Sequence, residues 1–121
     1  MSELCYNTSI KSLLASVASL DHQVGPVELC CMWFDDIYRP ADKNQEQYAP
    51  GVWERGLREW RACFTDAELT VLAEFHAVFD AESDGLSMEW PDWDKDPAWR
   101  RVRDAARAAL AKLGQIDVAS P

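Results

Sequence analysis

Apolar residues recur at steps of three and four along most of the chain, and this periodicity predicts five helices. In the first helix, residues 9–20, one face carries Ile10, Leu13, Leu14, Val17 and Leu20. The second helix begins at Pro26, a residue that suits a first helical turn, and Pro40 ends it. Its predicted apolar face consists of Val27, Cys30, Phe34 and Ile37.

A polar segment without periodicity at 41–50 predicts a loop, and two more helices follow it. The apolar stripe of the third helix consists of Trp53, Leu57, Trp60 and Phe64. Thr65 and Glu68 have the spacing of a capping box, which predicts the start of the fourth helix. The broad apolar face of that helix consists of Leu69, Val71, Leu72, Phe75, Val78 and Phe79. The helix is expected to stop near Gly85.

The fifth predicted helix follows an irregular segment at 86–95. It starts with Asp96 as N-cap and Pro97 at the first helical position. Its apolar stripe consists of Trp99, Val102, Ala106, Ala109, Leu110 and Leu113. Gly114 is expected to end the helix, which leaves 115–121 as a flexible tail.

These elements predict an all-α fold, a compact bundle of four to five short helices in a single domain spanning residues 1–121. A chain of 121 residues is long enough for one hydrophobic core and too short for two. Six tryptophans are many for this length, so we expect an aromatic-rich core or interface. Residues 29–34 are ambiguous, because a short apolar run is also compatible with a buried strand.

Acidic residues are concentrated in one segment of the chain. The formal net charge is −9; residues 66–96 contain ten acids and one base, whereas residues 97–121 contain two acids and five bases. Phosphate binding requires a cationic surface, so this balance argues against a nucleic-acid partner. No run approaches the roughly 20 apolar residues that span a bilayer. We therefore expect a cytoplasmic protein with neither a membrane nor a nucleic-acid partner.

The sequence CCMWFDDIYRP, residues 30–40, combines reactive residue types without the pattern of a metal or redox site. The four cysteines of the chain have neither CxxC nor zinc-knuckle spacing. Successive helical residues point in different directions, so Cys30 and Cys31 cannot both face one ion. The same divergence separates Asp35 from Asp36, which argues against a carboxylate pair for acid–base chemistry. We predict that Cys30 is a core residue, that Asp35 lies at the surface, and that the chain binds no cofactor.

A calcium site is one alternative, because residues 80–92 begin like an EF-hand loop. The candidate ligands at alternate positions are Asp80, Glu82 and Asp84. Gly85 occupies the position of the sharp turn. The match fails at the twelfth position, which is Pro91 instead of a bidentate glutamate.

An enzyme centred on His76 is another alternative. This residue flanks the apolar face of the fourth helix with Asp80 one turn away, and a His–Asp pair is able to act as a general base. The structural interpretation is a half-buried histidine satisfied by one carboxylate. The spacing of the two histidines, His22 and His76, does not match a zinc motif.

Acids alternate with tryptophans in EWPDWDKDPAW, residues 89–99. Aromatic residues surrounded by charge are typical of interface hot spots. The candidate partner-binding residues are Glu89, Trp90, Asp92, Trp93, Asp94 and Asp96. The alternative is that the tryptophans pack the segment against the core, which we expect for Trp99.

Three stretches, CMWFDDIYRP, GVWERGLREWRACFTDAEL and EWPDWDKDPAW, resemble those of a family of small uncharacterised bacterial proteins. The resemblance covers most of residues 27–113. It implies a bacterial cytoplasmic protein, and it transfers no activity and no functional residue.

The leading functional hypothesis is a small, acidic, non-catalytic protein that presents residues 66–96 to a basic protein partner. Inhibitors and immunity-type proteins are often of this size and charge. Calcium binding through 80–92 and catalysis at His76 are the alternatives. Homo-oligomer formation through the tryptophan-rich segment is compatible with all three.

Overall fold

Helices account for most of the chain in the computed structural model, which describes residues 2–41, 47–89 and 91–119. The α-helices are α1 (Ser2–Ser19), α2 (Pro26–Cys31), α3 (Val52–Arg61), α4 (Asp66–Glu82) and α5 (Pro97–Ala119). A π-helix at Met32–Ile37 continues α2, and 3-10 turns lie at Arg39–Ala41, Ser83–Gly85 and Asp92–Lys95. The described residues contain no strand, so the predicted all-α fold is confirmed and residues 29–34 are helical. Residues 42–46 of the predicted loop lie outside the described residues.

The core forms where α5 packs against both α1 and α4. The predicted face of the first helix is confirmed, since Ile10, Leu13, Leu14 and Val17 of α1 and Leu20 just after its end are all buried. The buried residues of α5 are Ala98, Trp99, Val102, Ala106, Ala109 and Leu113. Each large apolar side chain buried in this way stabilises the fold by about 1.5–3 kcal/mol, so the contacts of these three helices dominate its stability.

The buried face of α2 and the π-helix differs from the predicted one. Leu29, Trp33 and Tyr38 are buried, whereas Val27 is 52% exposed. Tyr38 is buried because of the π-helix, in which the Tyr38 amide donates to the Trp33 carbonyl, five residues back, at 3.0 Å. The additional residue in that turn brings Tyr38 onto the face of Trp33. The half-buried border of the face consists of three predicted members, Cys30, Phe34 and Ile37.

Two buried tryptophans donate hydrogen bonds that link separate segments of the chain. Trp60 of α3 is buried, and its indole Nε1 donates to the Ile37 carbonyl at 2.8 Å. Trp99 at the start of α5 is buried as well, and its Nε1 donates to the Ser87 carbonyl at 2.8 Å. Each indole ring therefore buries apolar surface while its N–H group donates to a backbone carbonyl. The expectation of an aromatic-rich core is confirmed.

The predicted capping box at the start of α4 is present in both directions. The Glu68 amide donates to the Thr65 hydroxyl at 3.1 Å, and the Thr65 amide donates to the Glu68 carboxylate at 2.9 Å. The Glu68 side chain is buried, and its Oε2 lies 3.5 Å from Nζ of Lys11 and 3.5 Å from Nδ2 of Asn7. The Glu68 carboxylate therefore caps α4 and also contacts Lys11 and Asn7 of α1.

Helix α5 is longer than predicted. Asp96 caps it as expected, because Oδ1 accepts from the Ala98 amide at 3.0 Å. Gly114 does not end the helix, which continues to Ala119 and includes residues 115–119 of the predicted tail. Glycine lowers helix propensity without preventing helix formation, and the helical residues on both sides of Gly114 hold it in the helical conformation. Neither α5 nor any other helix in the described ranges is long and apolar enough to cross a membrane.

Candidate partner-binding groove

Two of the predicted partner-binding residues are exposed acids. Glu89 is exposed, and Asp92 is exposed with its Oδ1 3.3 Å from Nζ of Lys95. Exposed ion pairs of this kind contribute little to stability, so Asp92 is available to a partner. Trp90 lies outside the described residues.

Trp93 is fully buried, which corrects the prediction that it contacts a partner. Its ring meets Trp99 nearly edge-on with centroids 5.0 Å apart, and it lies 5.1 Å from the ring of His22. The 3-10 turn Asp92–Lys95 folds this segment onto the start of α5 and turns Trp93 inward. The structural alternative is therefore correct for Trp93 and for Trp99.

The carboxylates of Asp94 and Asp96 are used within the fold. Asp94 Oδ2 lies 3.2 Å from Nε2 of His22. Asp96 accepts from the Ser87 amide at 2.8 Å through Oδ2 and from the Ala98 amide at 3.0 Å through Oδ1. Asp96 is thus a structural residue, whereas Asp94 is partly exposed and contacts His22 through one of its two oxygens.

The candidate calcium ligands do not converge on one point. Glu82 forms a two-point ion pair with Arg101, with N–O distances of 2.6 and 2.8 Å. The hydrogen bond from Arg101 holds the pKa of Glu82 below its usual value. Asp80 lies on α4 and Asp84 in the following 3-10 turn, and both are exposed. In the part of the chain that the structure describes, no group of three His, Cys, Asp or Glu residues could hold a metal ion.

His76 is packed among aromatic rings. Its Nδ1 accepts a hydrogen bond of 3.1 Å from the indole Nε1 of Trp33. Its ring stacks on Tyr38 with centroids 4.7 Å apart and meets Phe34 edge-on at 5.7 Å. A general base needs a lone pair directed at a substrate, and that of Nδ1 is occupied. The geometry favours a structural histidine whose hydrogen-bond partner is an indole.

An open groove lies between the π-helix and the end of α4. Its volume is about 220 Å³, and its walls consist of Cys30, Cys31, Phe34, Asp35, Asp80 and Ser83. Phe34 and Cys30 are half-buried and provide apolar surface. Asp35 from the π-helix and Asp80 from α4 are exposed, and neither forms an ion pair with any described residue. Cys30, predicted to be a core residue, lies at the edge of the core. Asp35 is at the surface, as predicted.

The border of the groove is anionic. Cys31 is exposed, and its pKa is raised first by partial desolvation and then by the carboxylates of Asp35, Glu28 and Asp36. Burial, followed by the neighbouring Cys31, raises the pKa of Cys30 to about 12. Both thiols are therefore protonated at neutral pH, so the negative charge of this region is carried by carboxylates.

Two other cavities contain charges of both signs. One of about 270 Å³ lies between α4 and α5, where Nζ of Lys112 is 3.4 Å from Glu74. Another of about 410 Å³ is bordered by Trp60, Arg61 and Asp66. Mixed charge gives neither cavity a preference for cations or anions. Of these three cavities, only the groove beside Asp35 and Asp80 is lined, among the described residues, by charged groups of a single sign, which is negative.

Comparison of the chain with protein-family models, with curated proteins and with solved structures gave no match. The resemblance to a family of small bacterial proteins has no match to support it. The features of the structure that bear on function are therefore the groove and the exposed acids.

Proposed function

We propose that this protein binds a basic protein partner through exposed acids and performs no reaction on it. The acidic surface residues, as we define them, are Asp35, Asp80, Asp84, Glu89 and Asp92. Within the described ranges, Asp92 alone in this set forms an ion pair. Nearby carboxylates that the fold uses, such as those of Glu82 and Asp96, are already satisfied. The unpaired charge of Asp35, Asp80, Asp84 and Glu89 within the described ranges is the observation that carries the proposal.

Charge of this kind acts mainly on association. Exposed carboxylates attract a cationic surface over about 8–10 Å at physiological ionic strength, which accelerates encounter and disfavours acidic partners. The candidate general base and the half-buried thiol are not activated, which favours binding without a reaction. The Nδ1 atom of His76 accepts from an indole, and burial raises the pKa of Cys30 to about 12.

The test is affinity capture from cells that naturally produce the protein, comparing wild type with a D84N/E89Q/D92N variant. We expect wild type to retain a protein with an excess of lysine and arginine, and the variant to lose it. The substitutions remove three exposed charges, and the Asp92–Lys95 ion pair that is lost with them is exposed and contributes little to stability. Capture of the same proteins by both forms, or no basic protein in the wild-type eluate, would overturn the proposal.

A matched control separates local charge from net charge. Glu54, Glu59 and Asp66 are also exposed, and they lie on α3 and at the start of α4. An E54Q/E59Q/D66N variant changes the net charge by the same amount as D84N/E89Q/D92N. It is expected to retain the partner, and circular dichroism of all three proteins confirms that each is folded.

A further inference from the structure

We infer that the groove between the π-helix and α4 receives an arginine side chain of the basic partner, an inference that rests on the proposed function. The volume of about 220 Å³ suits one long side chain. Pockets for small molecules are usually larger, at roughly 300–1,000 Å³. The groove is also open, so a side chain carried by a protein surface can reach it.

The surface of the groove suits a side chain that is apolar along its stem and cationic at its tip. Phe34 and Cys30 offer apolar contact to the methylene groups of such a stem. Asp35 and Asp80 approach from two different elements and offer carboxylate oxygens to the tip. Lysine and arginine both meet this description, so the hydrogen-bonding groups must distinguish between them.

The oxygen atoms of the groove favour arginine. The Ser83 hydroxyl donates its proton to the Asp80 carbonyl at 2.8 Å, which leaves its oxygen as an acceptor. The side chains of Asp35, Asp80 and Ser83 thus present acceptors to the groove. A guanidinium carries five N–H donors and no acceptor, and it also stacks on aromatic rings such as that of Phe34. A lysine ammonium carries three N–H donors and has no planar surface to stack on Phe34.

The π-helix holds its half of the groove in place. Phe34 and Asp35 follow Trp33, whose indole is bonded to His76 on α4 and whose ring stacks on Tyr38 with centroids 4.6 Å apart. The groove is therefore anchored across the same two elements that form it. A preformed site loses less conformational entropy on binding than one that must be ordered. π-helical turns are also frequent at functional sites.

A titration with N-acetylarginine amide, followed by two-dimensional NMR of labelled protein, tests the groove itself. We expect saturable shifts of the backbone amide signals of Cys31, Phe34, Asp35 and Asp80. N-acetylcitrulline amide has nearly the same shape without the charge and is the matched control; it is expected to cause no such shifts. N-acetyllysine amide with a free ε-amine is expected to bind more weakly than the arginine probe. Shifts centred elsewhere, or equal responses to arginine and citrulline, would overturn the inference.

Charge removal within the groove gives the second measurement. D35N and D80N are each expected to weaken arginine binding by about threefold, since each removes one exposed charge partner. D66N makes the same change at the opposite end of α4 and is expected to leave the affinity unchanged. Equal affinities of D35N, D80N and wild type would contradict a role for these carboxylates.

Capture with a D35N/D80N variant separates this inference from the proposed function. Loss of the partner from this variant supports the groove as the docking point. If the partner is lost from D84N/E89Q/D92N but kept by D35N/D80N, the inference fails and the proposed function stands. If wild type captures no basic protein, the proposed function fails; saturable arginine shifts would then assign the groove to a free guanidinium ligand, and protein docking would be refuted.

Discussion

The indole Nε1 of Trp33 donates a 3.1 Å hydrogen bond to Nδ1 of His76, and this contact joins the π-helix to α4. Trp33 is fully buried, so its N–H group depends on an acceptor inside the protein. Phe34, the next residue along the chain, lines the groove. The core and the proposed recognition surface are therefore supported by the same pair.

Replacing His76 with phenylalanine keeps a ring among the aromatic side chains but removes the acceptor for Trp33. We expect the free energy of unfolding to fall by roughly 1–3 kcal/mol, the cost of leaving a buried donor unsatisfied. Urea denaturation followed by circular dichroism measures the change. In a W33F background the donor is absent, so H76F is expected to cost about 1 kcal/mol less. Equal costs in the two backgrounds would contradict direct coupling.

Substitutions of Glu68 separate its hydrogen bonds from its charge. Glu68→Gln keeps an acceptor for the Thr65 amide and loses the contacts of Oε2 with Lys11 and Asn7, so we expect a loss of about 1 kcal/mol of stability. Glu68→Ala removes both and is expected to cost about 2 kcal/mol. Urea denaturation of both variants decides, and a glutamine variant as unstable as the alanine variant would show that the charge, and not the cap, dominates.

The two adjacent thiols are expected to alkylate at different rates. Cys31 is exposed and Cys30 is half-buried with a pKa of about 12, so iodoacetamide should modify Cys31 first. Removing the Asp35 charge by D35N lowers the raised pKa of Cys31, which increases its thiolate fraction and its rate at pH 8. Mass spectrometry of timed samples measures both rates. A rate for Cys31 that does not change in D35N, with D66N as reference, would contradict the anionic border.

The Glu82–Arg101 ion pair is expected to stabilise the fold at neutral pH and not in acid. The hydrogen bond from Arg101 holds the folded-state pKa of Glu82 below its ordinary value of 4.5. Its contribution is complete above the pKa of the unfolded chain and disappears as the pH falls through the lowered value. E82Q should therefore lower the Tm at pH 7 and leave it nearly unchanged at about pH 2. Thermal unfolding at both pH values is the measurement, and an equal decrease at both would refute this explanation.

Much of the helical architecture was predictable because its signals are local. The face of α1 follows from one uninterrupted period, and the capping box of α4 follows from Thr65 and Glu68 alone. The predicted buried face of α2 was wrong because that segment contains two sets of apolar residues with helical spacing, and one set is displaced from the other by one residue. A regular 3.6-residue period cannot foresee that a π-helical turn places Tyr38 beside Trp33.

The groove was not predictable from the sequence. Asp35 and Asp80 lie far apart along the chain, and only the packing of the π-helix against α4 brings both to one cavity. The burial of Trp93 is also a tertiary effect, because an irregular segment carries no periodicity that separates inward from outward positions. The local excess of acids was visible in the sequence; which of them the fold uses, as it uses Asp96, was not.

The salt dependence of the complex with the captured partner measures whether the exposed acids recognise it by charge. If exposed acids recognise a basic protein, the dissociation constant should rise at least about tenfold between about 50 and about 500 mM salt. The D84N/E89Q/D92N complex should show a weaker dependence. An affinity that does not change with salt would contradict recognition by charge.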